Sequence, residues 1–145
     1  IYFWKSALTK VGSGIFGIFF PSDGAYVQIF PRAMEAVGYD SSQLGTLYWL
    51  VALAGTWAEF ILPLLIVIGL FTRLAALGMI GFVLVQSIVD VTGHGVGGAD
   101  LGAWFDGASG SLIMDQRLLW VTLFVILIIK GAGSISVDGI LRKQM

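Results

Sequence analysis

Residues 47–70 read LYWLVALAGTWAEFILPLLIVIGL, an apolar run interrupted by a single carboxylate, Glu59. A run of about two dozen residues can cross the roughly 30 Å hydrocarbon core of a bilayer as a tilted helix. Pro63 has no N–H and therefore leaves the backbone carbonyl of residue 59 free. Because an ionisable side chain at this depth is costly, it normally faces other helices, a partner or a water-filled cavity. The run thus predicts a membrane span and, at Glu59, a candidate functional site.

The composition favours a membrane protein and excludes several kinds of chemistry. Of the 145 residues, 57% are hydrophobic and only 12% are charged. The chain has no cysteine and one histidine, His94, which excludes thiolate and iron–sulfur chemistry and a bis-histidine haem site within one copy. The net charge of −1 without a basic cluster excludes nucleic acid as a partner. We expect no metal site and no covalent cofactor.

The hydropathy pattern predicts an all-α fold, an integral membrane four-helix bundle in a single transmembrane domain. The predicted spans are residues 1–11, 47–70, 72–92 and 117–131, and the predicted exposed loops are residues 12–46 and 93–116. The first span is read as the closing turns of a helix truncated at its N-terminus. The chain opens at Ile1 without a Met and without a signal-peptide pattern, which favours a missing N-terminal segment.

Positive residues predict the orientation of the bundle. Arg73 lies in the turn between the second and third spans, and Arg142 and Lys143 lie in the tail. With four spans these residues share one side, and cytoplasmic loops carry the excess of Lys and Arg. We therefore expect a multi-pass protein with both termini in the cytoplasm.

Polar residues of three spans are expected to lie close together. Gln86, Asp90 and His94 fall at i, i+4 and i+8, which places them along one face of the third span. Glu59 lies near mid-depth of the antiparallel second span, and Lys5 is expected in the outer half of the first. These five groups form a candidate intramembrane polar cluster.

Two interpretations of this cluster stay open. In the first, it binds a polar headgroup such as a quinone, or passes protons to it. The roles would then be Lys5 as donor or counter-ion, Glu59 as proton acceptor, Gln86 as orienting donor, and Asp90 with His94 as the exit to water. In the second, Lys5 and Glu59 form an ion pair that only fixes helix register, and the third-span residues are hydrated at the interface.

Several stretches together resemble the DoxX family of small four-helix membrane proteins. They are FWKSALTK at 3–10, Ala58-Glu59 with Pro63-Leu64-Leu65, GLFTRLAA at 69–76 and GAGSISVD at 131–138. The resemblance implies a bacterial inner-membrane protein. Relatives are linked to thiosulfate:quinone oxidoreductase and to thiol and superoxide-detoxifying assemblies. It implies no single reaction and no catalytic residues, although Lys5, Glu59 and Arg73 fall in family-like stretches.

The leading functional hypothesis is an accessory subunit of a quinone-linked redox or respiratory-type complex, non-catalytic or weakly catalytic. Such a subunit would shape a quinone or lipid site and would contact membrane lipids and other membrane-protein subunits. We do not expect an enzyme activity from the chain on its own. Two alternatives remain: a small proton-coupled transporter with Glu59 as its titrating group, and an assembly factor for other membrane proteins.

Overall fold

The computed structural model describes residues 1–14 and 16–144, without the side chains of Arg142 and Gln144. This part of the chain is helical and contains no β-strand, which confirms the all-α class. The α-helices are α1 (Tyr2–Leu8), α2 (Asp23–Ile29), α3 (Pro31–Ala36), α4 (Thr46–Ile68), α5 (Thr72–Thr92), α6 (Gly98–Leu101), α7 (Leu118–Lys130) and α8 (Val137–Gln144).

Three helical stretches are long and apolar enough to cross a membrane. They are Thr46–Ile68, Thr72–Thr92 and Leu112–Lys130. The first two lie close to the predicted spans, and the third joins a π-helical turn to α7. The chain is therefore a membrane protein with three candidate spans among its described residues. The α1 helix has only seven residues, and the four-helix bundle stays a prediction.

The last long helix begins at Leu112, earlier than the sequence predicted. The Ser111 N–H donates to Asp115 Oδ2 at 2.8 Å, and the Asp115 N–H donates to Ser111 Oγ at 3.1 Å. This reciprocal cap satisfies donors at the helix start. The Gln116 N–H donates to the carbonyl of Ser111, five residues back, so the turn Leu112–Arg117 is π-helical. A segment predicted as exposed loop thus starts a span.

The chain groups into two compact units, Ile1–Ile61 and Leu62–Met145. In the first unit, Tyr26 of α2, Met34 of α3 and Ala52 of α4 form a buried hydrophobic core. Large apolar side chains pack around it: Val27, Ile29, Phe30, Val37, Leu44 and Tyr48. The two short helices thus anchor the polypeptide before α4 to the start of that span.

Turn residues in the predicted loop 12–46 set the ends of its short elements. Pro31 occupies the first turn of α3, where its missing N–H costs nothing. Gly38, with φ of 63°, follows the helix and supplies the left-handed conformation that ends it. Asp40 then caps the 3-10 turn Ser41–Gln43 by accepting from the Ser42 N–H at 3.0 Å. The loop is therefore largely folded.

In the second unit, α5 packs against α7. Ala75, Ala76, Met79 and Val83 are buried along one face of α5. The opposite surfaces of α5 and α7 expose apolar side chains: Leu74, Leu77, Leu84, Val85, Ile88, Leu119, Leu123, Ile126 and Ile129. Such a surface suits contact with lipid acyl chains. The single transmembrane domain stays a prediction.

Candidate functional site

Glu59 lies in a dry, closed hydrogen-bond network with Lys10 and Ser6. Only 1% of Glu59 and 6% of Lys10 are exposed. The Lys10 Nζ donates to Glu59 Oε2 at 2.8 Å, to Glu59 Oε1 at 2.9 Å and to Ser6 Oγ at 2.8 Å. Ser6 Oγ in turn donates to Glu59 Oε1 at 3.2 Å. All three ammonium protons are used, so the network is a satisfied buried ion pair.

The cation beside Glu59 is thus Lys10 and not Lys5, which corrects the expected pairing. The Lys5 side chain is exposed. The physical reason is the end of α1 at Leu8, after which the Lys10 N–H bonds the Ala7 carbonyl in a closing turn. The spacing of Ser6 and Lys10 at i and i+4 was the available signal.

A closed loop after α1 holds Lys10 in place. The Lys10 carbonyl accepts from the Ser22 N–H at 2.9 Å, and the Gly12 N–H donates to the Gly17 carbonyl at 3.0 Å. A Cβ at Gly17 would lie 2.0 Å from the Gly12 oxygen, and a Cβ at Gly12 would lie 2.3 Å from the Phe20 oxygen. Only glycine fits such close backbone approaches. The loop geometry therefore depends on both glycines.

An indole fixes α1 against α4 next to the acid. The Trp4 Nε1–H donates to the Phe60 carbonyl at 3.1 Å. On the other side of Glu59, the Trp57 Nε1–H donates to the Ile18 carbonyl at 2.9 Å, and its ring lies 5.5 Å from that of Phe19. The polar edge of the Trp57 ring therefore faces protein. Glu59 is thus flanked by two tryptophan anchors.

A second polar cluster lies in the second unit, where α5 meets the π-helical turn. Arg117 is 2% exposed and forms an ion pair with Asp90. Its Nη1 also donates to Ser87 Oγ at 3.1 Å, and Ser87 Oγ donates to the Val83 carbonyl at 2.8 Å. Asp90, read from the sequence as an exit to water, is instead the counter-ion of a buried guanidinium. Sequence reasoning missed Arg117, which it treated as the first residue of a span.

Two buried polar atoms of this cluster lack a hydrogen-bond partner in the described structure: Arg117 Nε, a donor, and Gln86 Oε1, an acceptor. Gln86 lies one turn before Asp90 on α5, a spacing that places the two side chains beside each other. Unsatisfied buried groups cost about 1–3 kcal/mol each, so a native protein normally gives them a partner. The arrangement offers a donor and an acceptor to a ligand or a partner subunit.

The remaining members of the predicted cluster are placed as follows. Glu59 belongs to the first unit, whereas Gln86, Asp90 and His94 belong to the second. His94 follows the end of α5, is exposed, and its N–H donates to the Val89 carbonyl at 3.1 Å. The convergence of all five predicted residues stays a prediction. Among the described residues, no group of three or more His, Cys, Asp or Glu side chains could hold a metal ion.

Asp138 closes the turn between α4 and α5. Its carboxylate accepts from the Phe71 and Thr72 N–H groups, both at 2.9 Å, and its own N–H donates to the Gly69 carbonyl at 2.8 Å. Phe71 has φ of 49°, a strained conformation for a side-chain-bearing residue. The stretches 69–76 and 131–138, distant in sequence, thus form one structural element.

Among the comparisons with known proteins, the comparison with protein-family models gives a match. The family model for DoxX matches residues 1–95, which include α1, the Glu59 partners Ser6 and Lys10, α4 and α5. No curated protein and no solved structure matches the chain.

Proposed function

The chain belongs to the DoxX family, and from this premise we propose that it is an accessory subunit of a quinone-linked redox complex in the bacterial inner membrane. In this proposal the cluster of Arg117, Asp90, Ser87 and Gln86 (the arginine cluster) contributes to a site for a quinone headgroup. The chain then supplies binding and positioning, and its partner subunits supply the redox chemistry.

The observation that carries this proposal is the pair of unpartnered buried atoms, Arg117 Nε and Gln86 Oε1. A quinone presents carbonyl oxygens that accept hydrogen bonds, and the corresponding quinol presents hydroxyl groups that donate them. The Arg117 Nε–H can therefore donate to an oxygen of either form, and Gln86 Oε1 can accept from a hydroxyl group of the quinol. A quinone would carry the electrons, while Arg117 and Gln86 would orient its polar atoms.

The position of Arg117 at the end of a π-helical turn adds support. Such turns are rare and frequently occur at functional sites. Asp90 and Ser87 hold two nitrogens of the guanidinium, so the direction of the third is fixed by the protein. A preorganised donor binds a ligand carbonyl without a further ordering cost.

The network around Glu59 supports a structural role for that residue rather than a transport role. A titrating group in a carrier must exchange its proton with water or substrate. Both oxygens of Glu59 are instead held by Lys10, and Ser6 binds one of them again. We therefore prefer the accessory-subunit function over proton-coupled transport.

The test is to extract the protein from its own membranes in mild detergent and to measure its partners by native mass spectrometry and its bound quinone by chemical extraction. We expect a defined complex that contains a redox subunit and quinone. Gln86→Leu is expected to lower bound quinone by about tenfold, the effect of roughly 1.4 kcal/mol.

The matched control is Gln116→Leu, one residue from Arg117 but with an exposed side chain. It should retain quinone within about twofold of the parent protein. A protein that carries neither quinone nor a redox partner would refute the proposal. Equal loss of quinone in both variants would refute the assignment of Gln86.

A further inference from the structure

A cavity of about 400 Å³ opens at the opposite end of the α5–α7 pair from the arginine cluster. Its walls come from the start of α5, the end of α7 and α8: Phe71, Thr72, Arg73, Leu74, Lys130, Gly131, Ala132 and Asp138. This volume lies within the usual range of about 300–1,000 Å³ for small-ligand sites. The cavity belongs wholly to the second unit.

The charged side chains of the cavity have a positive balance. Arg73 and Lys130 contribute two cations, and Asp138 contributes one anion. Both Asp138 oxygens already accept backbone N–H groups of the α4–α5 turn. The Asp138 carboxylate therefore stabilises the α4–α5 turn, while Arg73 and Lys130 line the cavity.

The Arg73 side chain lies close to the backbone at the end of α7. Its Nη2 donates to the Ile129 carbonyl at 3.3 Å, near the negative end of the α7 dipole. A Cβ at Gly131 would lie 3.3 Å from the Arg73 Nε. The absence of a side chain at Gly131, where φ is 73°, leaves room for the guanidinium.

A buried hydroxyl without a partner points independently to a ligand. Thr72 is 2% exposed, and its Oγ1 has no hydrogen-bond partner in the described structure. It lines the same cavity. A buried hydroxyl in a cavity wall needs an acceptor or donor from whatever fills the cavity.

We propose that this cavity binds a phosphate group, with Arg73 and Lys130 as its counter-ions and the Thr72 hydroxyl as a hydrogen-bond donor. Arg presents a planar fork that matches phosphate oxygens, and Lys adds a point charge. The source is an anionic phospholipid headgroup or a free phosphate. This inference is independent of the quinone proposal, because it uses a different set of residues.

A lipid source is favoured by the neighbouring helix. In α8, Val137, Ile140 and Leu141 provide an apolar side, whereas Asp138 and Lys143 are charged. An amphipathic helix beside a basic cavity is typical of a surface at the level of lipid headgroups.

The test uses native mass spectrometry of the purified protein titrated with phosphatidylglycerol, with diacylglycerol, which lacks phosphate, and with inorganic phosphate. We expect phosphatidylglycerol to bind at least about tenfold more tightly than diacylglycerol. The double variant Arg73→Gln/Lys130→Gln should lose this preference. Lys143→Gln, which removes one exposed cation outside the cavity, should keep binding within about twofold.

Thr72→Val provides a variant that is expected to fold, because it removes a hydroxyl with no partner in the protein. It should weaken phosphatidylglycerol binding by about threefold to tenfold without a lower melting temperature. Inorganic phosphate that binds the parent protein as tightly as the lipid, and not the double variant, would support the site with a soluble source. Equal binding of diacylglycerol, or unchanged binding in the double variant, would overturn the proposal.

Discussion

Lys10 lies two residues beyond the end of α1 and still contacts Glu59 through both carboxylate oxygens, at 2.8 and 2.9 Å. The ion pair therefore joins a closing turn to the middle of a span. Ser6, on α1 itself, completes the network. The closing turn, together with Trp4 and Ser6 of α1, sets the register against α4.

The first prediction concerns this pair. Lys10→Met alone should destabilise the protein by about 3–5 kcal/mol, because it leaves the carboxylate buried without a counter-ion. The double variant Lys10→Met/Glu59→Leu should be clearly more stable than Lys10→Met. The measurement is a double-mutant cycle of unfolding in detergent. Lys5→Met, at an exposed lysine, is the control, and additive effects of Lys10 and Glu59 would refute coupling.

The second prediction concerns the loop that positions Lys10. Gly17→Ala should destabilise by about 1–3 kcal/mol, because its Cβ would lie 2.0 Å from the Gly12 oxygen and the backbone must shift. Gly45→Ala, where no atom lies within 4 Å of the added Cβ, should change stability by less than about 0.5 kcal/mol. Thermal unfolding of both variants is the measurement. Similar melting temperatures would show that the loop relaxes freely.

The third prediction concerns the turn between α4 and α5. Asp138→Asn should cost about 0.5–2 kcal/mol, because the charged acceptor for the Phe71 and Thr72 N–H groups becomes neutral. Chemical unfolding in detergent measures this cost. Asp100→Asn, at an exposed position in α6, should have little effect. An equal effect of the two substitutions would mean that lost charge, and not the cap, is responsible.

The fourth prediction concerns pH. Hydrogen bonds from Ser42 and Gln43 hold the pKa of Asp40 below its ordinary value. The folded-state pKa is thus lower than the unfolded one, so the contribution is present above the unfolded pKa and is lost as pH falls through the folded pKa. Asp40→Asn should lower the melting temperature at pH 7, and the difference should shrink below about pH 4. A difference independent of pH would contradict this assignment.

The spans were readable from sequence because the bilayer imposes a strong pattern on the chain. A single segment that crosses a bilayer must satisfy its own backbone hydrogen bonds, so the apolar runs at residues 47–70 and 72–92 can be predicted as helices. The start of the last span was not readable, because Ser111 and Asp115 are typical of a loop when taken singly. Their reciprocal hydrogen bonds appear only when the chain is folded.

The site was partly readable for the same reason. Glu59 was identified because a lone carboxylate in an apolar run is costly. Its partner was misassigned, since the choice between Lys5 and Lys10 depends on which face of α1 meets α4. Arg117 was missed because a cation near a span end usually has a simple interfacial role, although Asp90 in the facing helix required a counter-ion.

The π-helical turn Leu112–Arg117 is a place where the insertion or deletion of a residue would change the local structure. A π turn holds about one residue more than an α turn, so the deletion of one residue between Ser111 and Asp115 would convert this turn into an ordinary α-helical one. The Ser111–Asp115 cap would then lose its spacing. Natural variation in chain length should therefore avoid this turn and accumulate in the exposed residues 104–110.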